Sequence, residues 1–100
     1  MIGDDFTVLE NSVSEDGVRH IIAAPSALVC SRQVELDIVD GKIHNLRYTG
    51  GCHGNLQAIG ALLEGQSLDF AFERLSGINC KGRGTSCSDQ LIRILRSLYI

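Results

Sequence analysis

Four cysteines are the residues of this 100-residue chain that could most readily do chemistry. They are Cys30, Cys52, Cys80 and Cys87, separated by 21, 27 and 6 intervening residues. Thiolates bind soft metal ions, hold iron–sulfur clusters and attack disulfides. The spacings are not the paired Cys-x2-Cys of zinc ribbons, so a metal site has to be argued from where the cysteines lie in the fold.

Composition and termini indicate the compartment and exclude some partners. The N-terminus MIGDDFTVLE is acidic where a secretory signal would be basic, and no apolar run is long enough to span a bilayer. The net charge is −3 and the arginines are scattered, so neither nucleic acid nor a membrane is an expected partner. We expect a cytoplasmic protein, whose four thiols are buried hydrophobic side chains, metal ligands or reactive groups rather than two structural disulfides.

The first half of the chain predicts strands. Residues 33–48 carry two apolar-alternating runs around Asp40-Gly41, which is typical of a β-hairpin with a two-residue turn. Residues 18–23 predict a further strand that ends before Pro25, and a weaker strand lies near residues 6–10. We therefore divide the chain into an N-terminal extension, residues 1–28, with one or two strands, and a cysteine-containing domain, residues 29–100.

Helices follow, because the apolar period changes from two to about 3.6. The first helix is predicted to bury Leu56, Ile59, Leu62 and Leu63 and to end near Gly65. A second helix, capped by Ser67, ends at Gly77. A glycine-rich loop follows in the segment NCKGRGTSCSD, and a last helix, capped by the Ser86 hydroxyl, runs from Ser88 to Ile100.

All four cysteines fall at the ends of these elements. Cys30 precedes the hairpin, Cys52 and Cys87 lie at helix N-termini, and Cys80 lies in the glycine-rich loop. A helix N-terminus presents unpaired N–H groups and the positive end of the helix dipole, which stabilise a thiolate. His53 could ligate a metal or tune the site, although an exposed or hydrogen-bonded role is the simpler expectation.

The segments GGCHGNLQAI and GINCKGRGTSCSDQL resemble the TSCPD domain family, in particular its small stand-alone members, over roughly residues 28–100. Thr85, Ser86, Cys87 and Asp89 match the motif that names the family, whereas Ser88 replaces its proline. That change should soften the helix cap and leave the thiol in place. The same domain occurs at the C-terminus of adenosylcobalamin-dependent ribonucleotide reductases, so the resemblance implies a link to that enzyme.

The order of hairpin, Gly-Cys-x-Gly helix and Cys-Ser at a last helix is also similar to iron–sulfur scaffolds of the IscU and NifU type. This similarity implies an α+β fold, in which a small antiparallel sheet of about three strands is followed by three helices packed on one face. It places Cys30, Cys52 and Cys87 at the scaffold's ligand positions. Cys80 would be a fourth ligand, and Ser86 stands where the scaffold has a histidine.

We therefore expect a metal-binding module, with zinc or an iron–sulfur cluster on Cys30, Cys52, Cys80 and Cys87, that acts as a scaffold or accessory domain. One alternative is a thiol relay through Cys80 and Cys87 that reduces a partner. Another is a complete ribonucleotide reductase, which 100 residues are too few to house. We assign no catalytic residue. We expect the partner protein to be a reductase or an iron–sulfur client protein, and a homodimer is an alternative.

Overall fold

The computed structural model describes residues 3–82 and 84–98. Within these ranges, four strands precede three helices: β1 (Thr7–Val13), β2 (Arg19–Ala24), β3 (Ser31–Val39), β4 (Lys42–Gly50), α1 (His53–Leu63), α2 (Leu68–Leu75) and α3 (Cys87–Ser97). This confirms the predicted α+β class, with one strand more than the three expected. The last helix was predicted to reach Ile100, but Tyr99 and Ile100 lie outside the described residues, as does Arg83 in the glycine-rich loop.

The sheet is an antiparallel meander with the strand order β1-β2-β3-β4. Asp40 and Gly41, between β3 and β4, have φ angles of 52° and 74°, the conformation of a two-residue type I′ turn. This confirms the predicted hairpin. Because β2 pairs with β3, residues on both sides of the predicted boundary at residue 28 belong to one sheet.

A β-bulge in β4 sets which of its residues face the helices. Asp37 pairs with His44 and Glu35 with Arg47, so two residues of β4 stand opposite Leu36 alone. One of these two, Asn45, has a φ of 55°. The extra residue explains why the inward-facing Ile43 and Leu46 are three positions apart rather than two.

The core lies between the inner face of the sheet and the apolar stripes of the helices. Its buried members are Ile21, Ala23, Val34, Leu36, Ile38, Ile43, Leu63, Leu68, Ala71, Leu91, Ile92, Ile94 and Leu95. Leu62, predicted to be buried, is instead 72% exposed. It stands about 100° around α1 from Leu63, and this rotation carries it off the side of the helix that packs.

The outer face of the sheet is polar, and its histidines are held by carboxylates. His20 Nδ1 lies 2.5 Å from Asp37 and its Nε2 lies 2.8 Å from Glu35. The hydrogen bond to Asp37 and the charges of both acids raise the pKa of His20 above its ordinary value, against the opposing effect of burial. His44 lies 2.6 Å from Glu64 at the end of α1. Both histidines therefore have a structural role.

Helix α1 is tied to β4 at close range. At Gly60, a Cβ atom would lie 2.7 Å from the carbonyl oxygen of Leu46, so only glycine allows this approach. Beyond the helix, Gly65 N–H donates to the Ile43 carbonyl at 2.7 Å, and Ile43 N–H donates to the Gln66 carbonyl at 2.8 Å. These contacts fix the direction of α1 and therefore the position of Cys52 at its start.

Replacing Gly60 by Ala tests this close approach. The added methyl group must push α1 away from Leu46, so we expect a loss of about 1–3 kcal/mol in the free energy of unfolding. Gly54→Ala is the matched control, because Gly54 lies in the same helix and a Cβ there meets nothing within 4 Å. We expect that control to be neutral or to stabilise by up to about 1 kcal/mol. Urea unfolding measures both, and equal stability of the two variants would contradict the assigned packing.

Candidate functional site

Three cysteine sulfurs meet at the end of the sheet where β3 begins and β4 ends. Cys30 Sγ lies 3.9 Å from Cys52 Sγ and 3.7 Å from Cys87 Sγ. The three residues come from different places in the fold: the segment before β3, the turn before α1, and the first turn of α3. We call Cys30, Cys52 and Cys87 the three-sulfur cluster; Cys30 is the member in contact with both others.

The β3–β4 hairpin places Cys30 and Cys52. Ser31 pairs with Gly50 at the end of the ladder, so the residues just outside it are close together. Gly51 has a φ of 82°, and a Cβ at this position would lie 3.2 Å from Cys30 Sγ and 2.9 Å from Leu56 Cδ1. A glycine is therefore required for the turn to pass beside the Cys30 sulfur.

Cys52 is the N-terminal cap residue of α1, and its side chain makes no capping hydrogen bond. The helix begins at His53, so the predicted position of Cys52 at a helix N-terminus is confirmed. Cys30 and Cys52 are exposed, whereas Cys87 is half-buried. Two of the three cysteines are thus exposed to solvent.

Cys87 is held by residues of the sheet as well as by its own helix. Ser86 caps α3 by accepting a hydrogen bond from Asp89 N–H at 3.0 Å, as predicted. Ser31 Oγ donates to Cys87 Sγ at 3.2 Å, and the Tyr48 hydroxyl donates to the Cys87 carbonyl at 3.4 Å. Burial, together with the charge of Cys87, raises the pKa of Tyr48 well above its ordinary value, so Tyr48 stays a donor.

Asp89 is the centre of a buried polar network behind Cys87. Its carboxylate accepts hydrogen bonds from Gly77 N–H at 2.7 Å, the Thr85 hydroxyl at 2.6 Å and Arg93 Nε–H at 2.8 Å. Burial acts to raise the pKa of Asp89, but these hydrogen bonds and the Arg93 charge outweigh it and lower the pKa. The carboxylate thereby fastens the glycine-rich loop to the first turns of α3.

Gln90 links the same helix to the segment that carries Cys30. Its Oε1 accepts a hydrogen bond from Ser26 N–H at 2.9 Å, and its Nε2 donates to the Gly3 carbonyl at 2.7 Å and to Thr85 Oγ1 at 3.1 Å. Gln90, Ser31 and Tyr48 were not predicted from the sequence as residues of the site. A polar residue inside the apolar stripe of α3 was the available signal for Gln90; nothing local marks the other two.

Cys80 and His53 make contacts with residues outside the three-sulfur cluster. Cys80 is half-buried in the glycine-rich loop, where its N–H donates to the Thr85 carbonyl at 3.0 Å. Within the described part of the chain its sulfur makes no hydrogen-bond-type contact with another sulfur. The exposed His53 ring is paired with the Gln57 amide. The structure therefore brings together three of the four predicted ligands.

The donor set suits a thiophilic metal. Around a tetrahedral zinc ion with Zn–S bonds of about 2.3 Å, neighbouring sulfurs lie about 3.8 Å apart, which agrees with the two observed distances. Yet among residues 3–82 and 84–98 no group of three or more His, Cys, Asp or Glu side chains could hold a metal ion as it stands. The structure thus shows two adjacent sulfur pairs that share Cys30.

Comparison with known proteins identifies the family. The family model of the TSCPD domain matches residues 10–99, and the chain therefore belongs to the TSCPD domain family. The match begins within β1, upstream of the residue-28 boundary. No curated protein and no solved structure matches the chain, so the similarity to iron–sulfur scaffolds stays a hypothesis. No helix in the described ranges is long and apolar enough to cross a membrane.

Asp89→Asn tests whether the buried network supports the cluster. The new amide would direct its own N–H groups at buried donors, so we expect a loss of about 2–4 kcal/mol in the free energy of unfolding at neutral pH. Because folding lowers the pKa of Asp89, its stabilisation is present above the ordinary value of 3.8 and is lost as the pH falls below it. The difference between wild type and variant should therefore shrink in acid.

Asp69→Asn is the control for that experiment, since Asp69 also lies in the first turn of a helix but is exposed. We expect its effect to stay within about 0.5 kcal/mol. Urea unfolding between pH 3 and pH 7 measures both variants. Equal losses in the two would show that Asp89 acts only through the helix dipole.

Proposed function

We propose that this TSCPD-domain protein is a thiol-based metal-binding module whose site is built on Cys30, Cys52 and Cys87. Its role is that of a scaffold or accessory domain for a protein partner, and it has no turnover of its own. The observation that carries the proposal is the pair of sulfur distances, 3.7 and 3.9 Å, that join cysteines from three separate parts of the fold. Thiols this far apart in sequence converge because the hairpin and α3 hold them there.

Further features of the surroundings of the three sulfurs support the proposal. Cys52 and Cys87 lie at the N-termini of α1 and α3, where the helix dipoles stabilise negative charge. The Ser31 hydroxyl donates to Cys87 Sγ, as outer-shell groups do to metal-binding thiolates. The Gly51 backbone passes close enough to Cys30 Sγ that a larger residue would displace it. The three cysteines are donors of the type that a zinc ion or an iron–sulfur cluster requires, and their side chains would have to rotate to close around it.

The fourth ligand position separates two versions of the proposal. Cys80, in the loop next to α3, would give four thiolates and a closed, tightly held site. Without it, three thiolates leave a position open to water or to a group from a partner. Since Cys30 and Cys52 are exposed, metal bound there would face the partner, for which a reductase or an iron–sulfur client protein fits the proposed role.

Metal binding is tested on reduced protein purified without oxygen. We expect either about one zinc per chain by elemental analysis or a brown protein with the charge-transfer absorption of an iron–sulfur cluster. Cys30→Ser, Cys52→Ser and Cys87→Ser should each weaken zinc binding by more than about tenfold in competition with a chromophoric chelator. The metal should also raise the melting temperature of wild type, and this rise should vanish in Cys30→Ser.

Two further variants sharpen that titration. If four thiolates hold the zinc, Cys80→Ser should lower the zinc affinity. If three thiolates hold it, the affinity of Cys80→Ser should equal that of wild type. His44→Gln is the control, because His44 is bound to Glu64 and is a potential ligand by type alone. Wild-type protein that holds no iron–sulfur cluster and binds no zinc at micromolar concentration, or Cys30→Ser protein with full zinc affinity, would end the proposal.

The proposal also predicts that the chain does not bind nucleotides. The segment CKGRGTS has glycines and a lysine but not the spacing of a phosphate-binding loop. At the start of α3 the Asp89 N–H is already bound by Ser86, and the Thr85 hydroxyl is bound by Asp89. Isothermal titration with ATP and ribonucleoside diphosphates should therefore give no heat of binding. Micromolar binding that is lost in Lys81→Ala and Arg83→Ala would instead favour the reductase-type activity.

A further inference from the structure

Cys30 is the sulfur that the other two members of the cluster share. We infer that, when the protein is oxidised, it forms two alternative disulfides, Cys30–Cys52 and Cys30–Cys87, and that exchange between them makes the cluster a thiol–disulfide exchange unit. The inference rests on the same cluster as the proposed function, but it requires no metal. It also replaces the predicted Cys80–Cys87 relay with a different pair of partners.

The distances allow either bond with small movements. A disulfide has a sulfur–sulfur distance of about 2.05 Å, so each contact has to shorten by a little under 2 Å. Cys30 and Cys52 are exposed, and neither lies inside a helix or strand, so their side chains can rotate without disturbing the core. A sulfur forms one disulfide at a time, so the two bonds exclude each other.

The oxidant we name is a low-molecular-weight disulfide such as oxidised glutathione. The Cys30 thiolate attacks it, which forms a mixed disulfide at Cys30 and releases one glutathione thiolate. The Cys52 thiolate then attacks Cys30 Sγ and releases the second glutathione. Overall two protein thiols lose two electrons and two protons, and one glutathione disulfide becomes two thiols.

The third cysteine, Cys87, allows the disulfide to exchange between two pairings. In the Cys30–Cys52 form, the Cys87 thiolate can attack Cys30 Sγ, which forms Cys30–Cys87 while the electron pair of the broken bond leaves on Cys52. This step involves no net oxidation. The hydrogen bond from Ser31 Oγ to Cys87 Sγ holds the attacking sulfur on the side of Cys30. Cys80 is held in its own loop by the bond from its N–H to the Thr85 carbonyl.

A groove beside Cys52 is large enough to admit a small disulfide. It is open, has a volume of about 440 Å³ between β4 and α1, and its lining includes Gly50 as well as Gly51 and His53, the two residues adjacent to Cys52 in the chain. A molecule the size of a short peptide disulfide can enter such a groove. Because either protein disulfide removes two of the three thiols, oxidation and metal binding would compete for the same sulfurs.

Peptide mapping tests the inference directly. Trypsin leaves the four cysteines in four different peptides, residues 20–32, 48–74, 75–81 and 84–93, so every pairing gives a distinct cross-linked mass. Metal-free wild type is oxidised with oxidised glutathione, remaining thiols are alkylated, and the digest is analysed by mass spectrometry. We expect both the Cys30–Cys52 and the Cys30–Cys87 peptides.

Single variants then identify the shared sulfur. Cys52→Ser should retain only Cys30–Cys87, Cys87→Ser should retain only Cys30–Cys52, and Cys80→Ser, the control, should retain both. Cys30→Ser should lose at least about nine-tenths of the internal disulfide, since its remaining sulfurs lack the common neighbour. A dominant Cys80–Cys87 or Cys52–Cys87 peptide in wild type, or undiminished internal disulfide in Cys30→Ser, would overturn the inference.

The result is separable from folding and from the proposed function. Circular dichroism checks that Cys30→Ser is folded, which is expected because Cys30 is exposed, and the wild-type map decides the pairing even if that variant is not. Zinc titration is carried out on the same preparation after reduction. Protein that forms both disulfides but binds neither zinc nor an iron–sulfur cluster would end the metal-binding proposal and uphold the exchange unit; metal binding with no Cys30 disulfide would do the reverse.

Discussion

The hydrogen bonds to the buried carboxylate of Asp89 are the interaction on which the geometry of the cluster depends. An ionised carboxylate is costly to bury unless its oxygens are satisfied. Here the donors are a backbone N–H beyond α2, a hydroxyl of the glycine-rich loop and a guanidinium of α3 itself. The buried Asp89 carboxylate is therefore stable only when the glycine-rich loop packs against α3. This packing fixes the orientation of Cys87 at the start of α3. The motif residues Thr85, Ser86 and Asp89 thus do structural work around one thiol.

The β3–β4 hairpin supplies the other half of the constraint. Any hairpin brings the residue before its first strand close to the residue after its second, and here these positions hold Cys30 and the Gly50–Cys52 turn. Gly60 lets α1 lie directly on β4, so Cys52 is held from both sides. Gln90 joins the two halves, since its amide binds both the Cys30 segment, through Ser26, and the glycine-rich loop.

Local signals in the sequence were enough to predict the elements. Asp40-Gly41 specified the hairpin turn, Ser67 and Ser86 specified helix starts, and the change in apolar period separated strands from helices. The site was predictable to the extent that cysteines at element ends are candidates for one cluster. Beyond that, local pattern carries no information: the contact of Ser31 with Cys87 arises only from the packing of α3 against the end of β3.

Errors in the prediction have the same origin. Leu62 lies at the edge of the apolar stripe of α1, where the rotation of the helix against β4 decides whether a side chain is buried or exposed. That rotation is fixed by the Gly60 contact rather than by hydrophobicity. β1 was predicted as a weaker strand near residues 6–10, and the structure confirms this strand but extends it to Val13. Its sequence signal is weak because it is an edge strand with exposed Leu9 and Val13, and its full length follows from its pairing with β2.

The geometry gives the cysteines unequal roles. A sulfur separation near 3.8 Å suits two ligands of one tetrahedral metal and also two thiols a short rotation from a disulfide, so distance alone does not favour one chemistry over the other. What it does establish is the position of Cys30 in both contacts. The family motif contains Cys87, yet loss of Cys87 leaves the contact between Cys30 and Cys52, whereas loss of Cys30 removes both. In both proposals, therefore, the chemistry depends on the cysteine that precedes the hairpin and lies outside the motif.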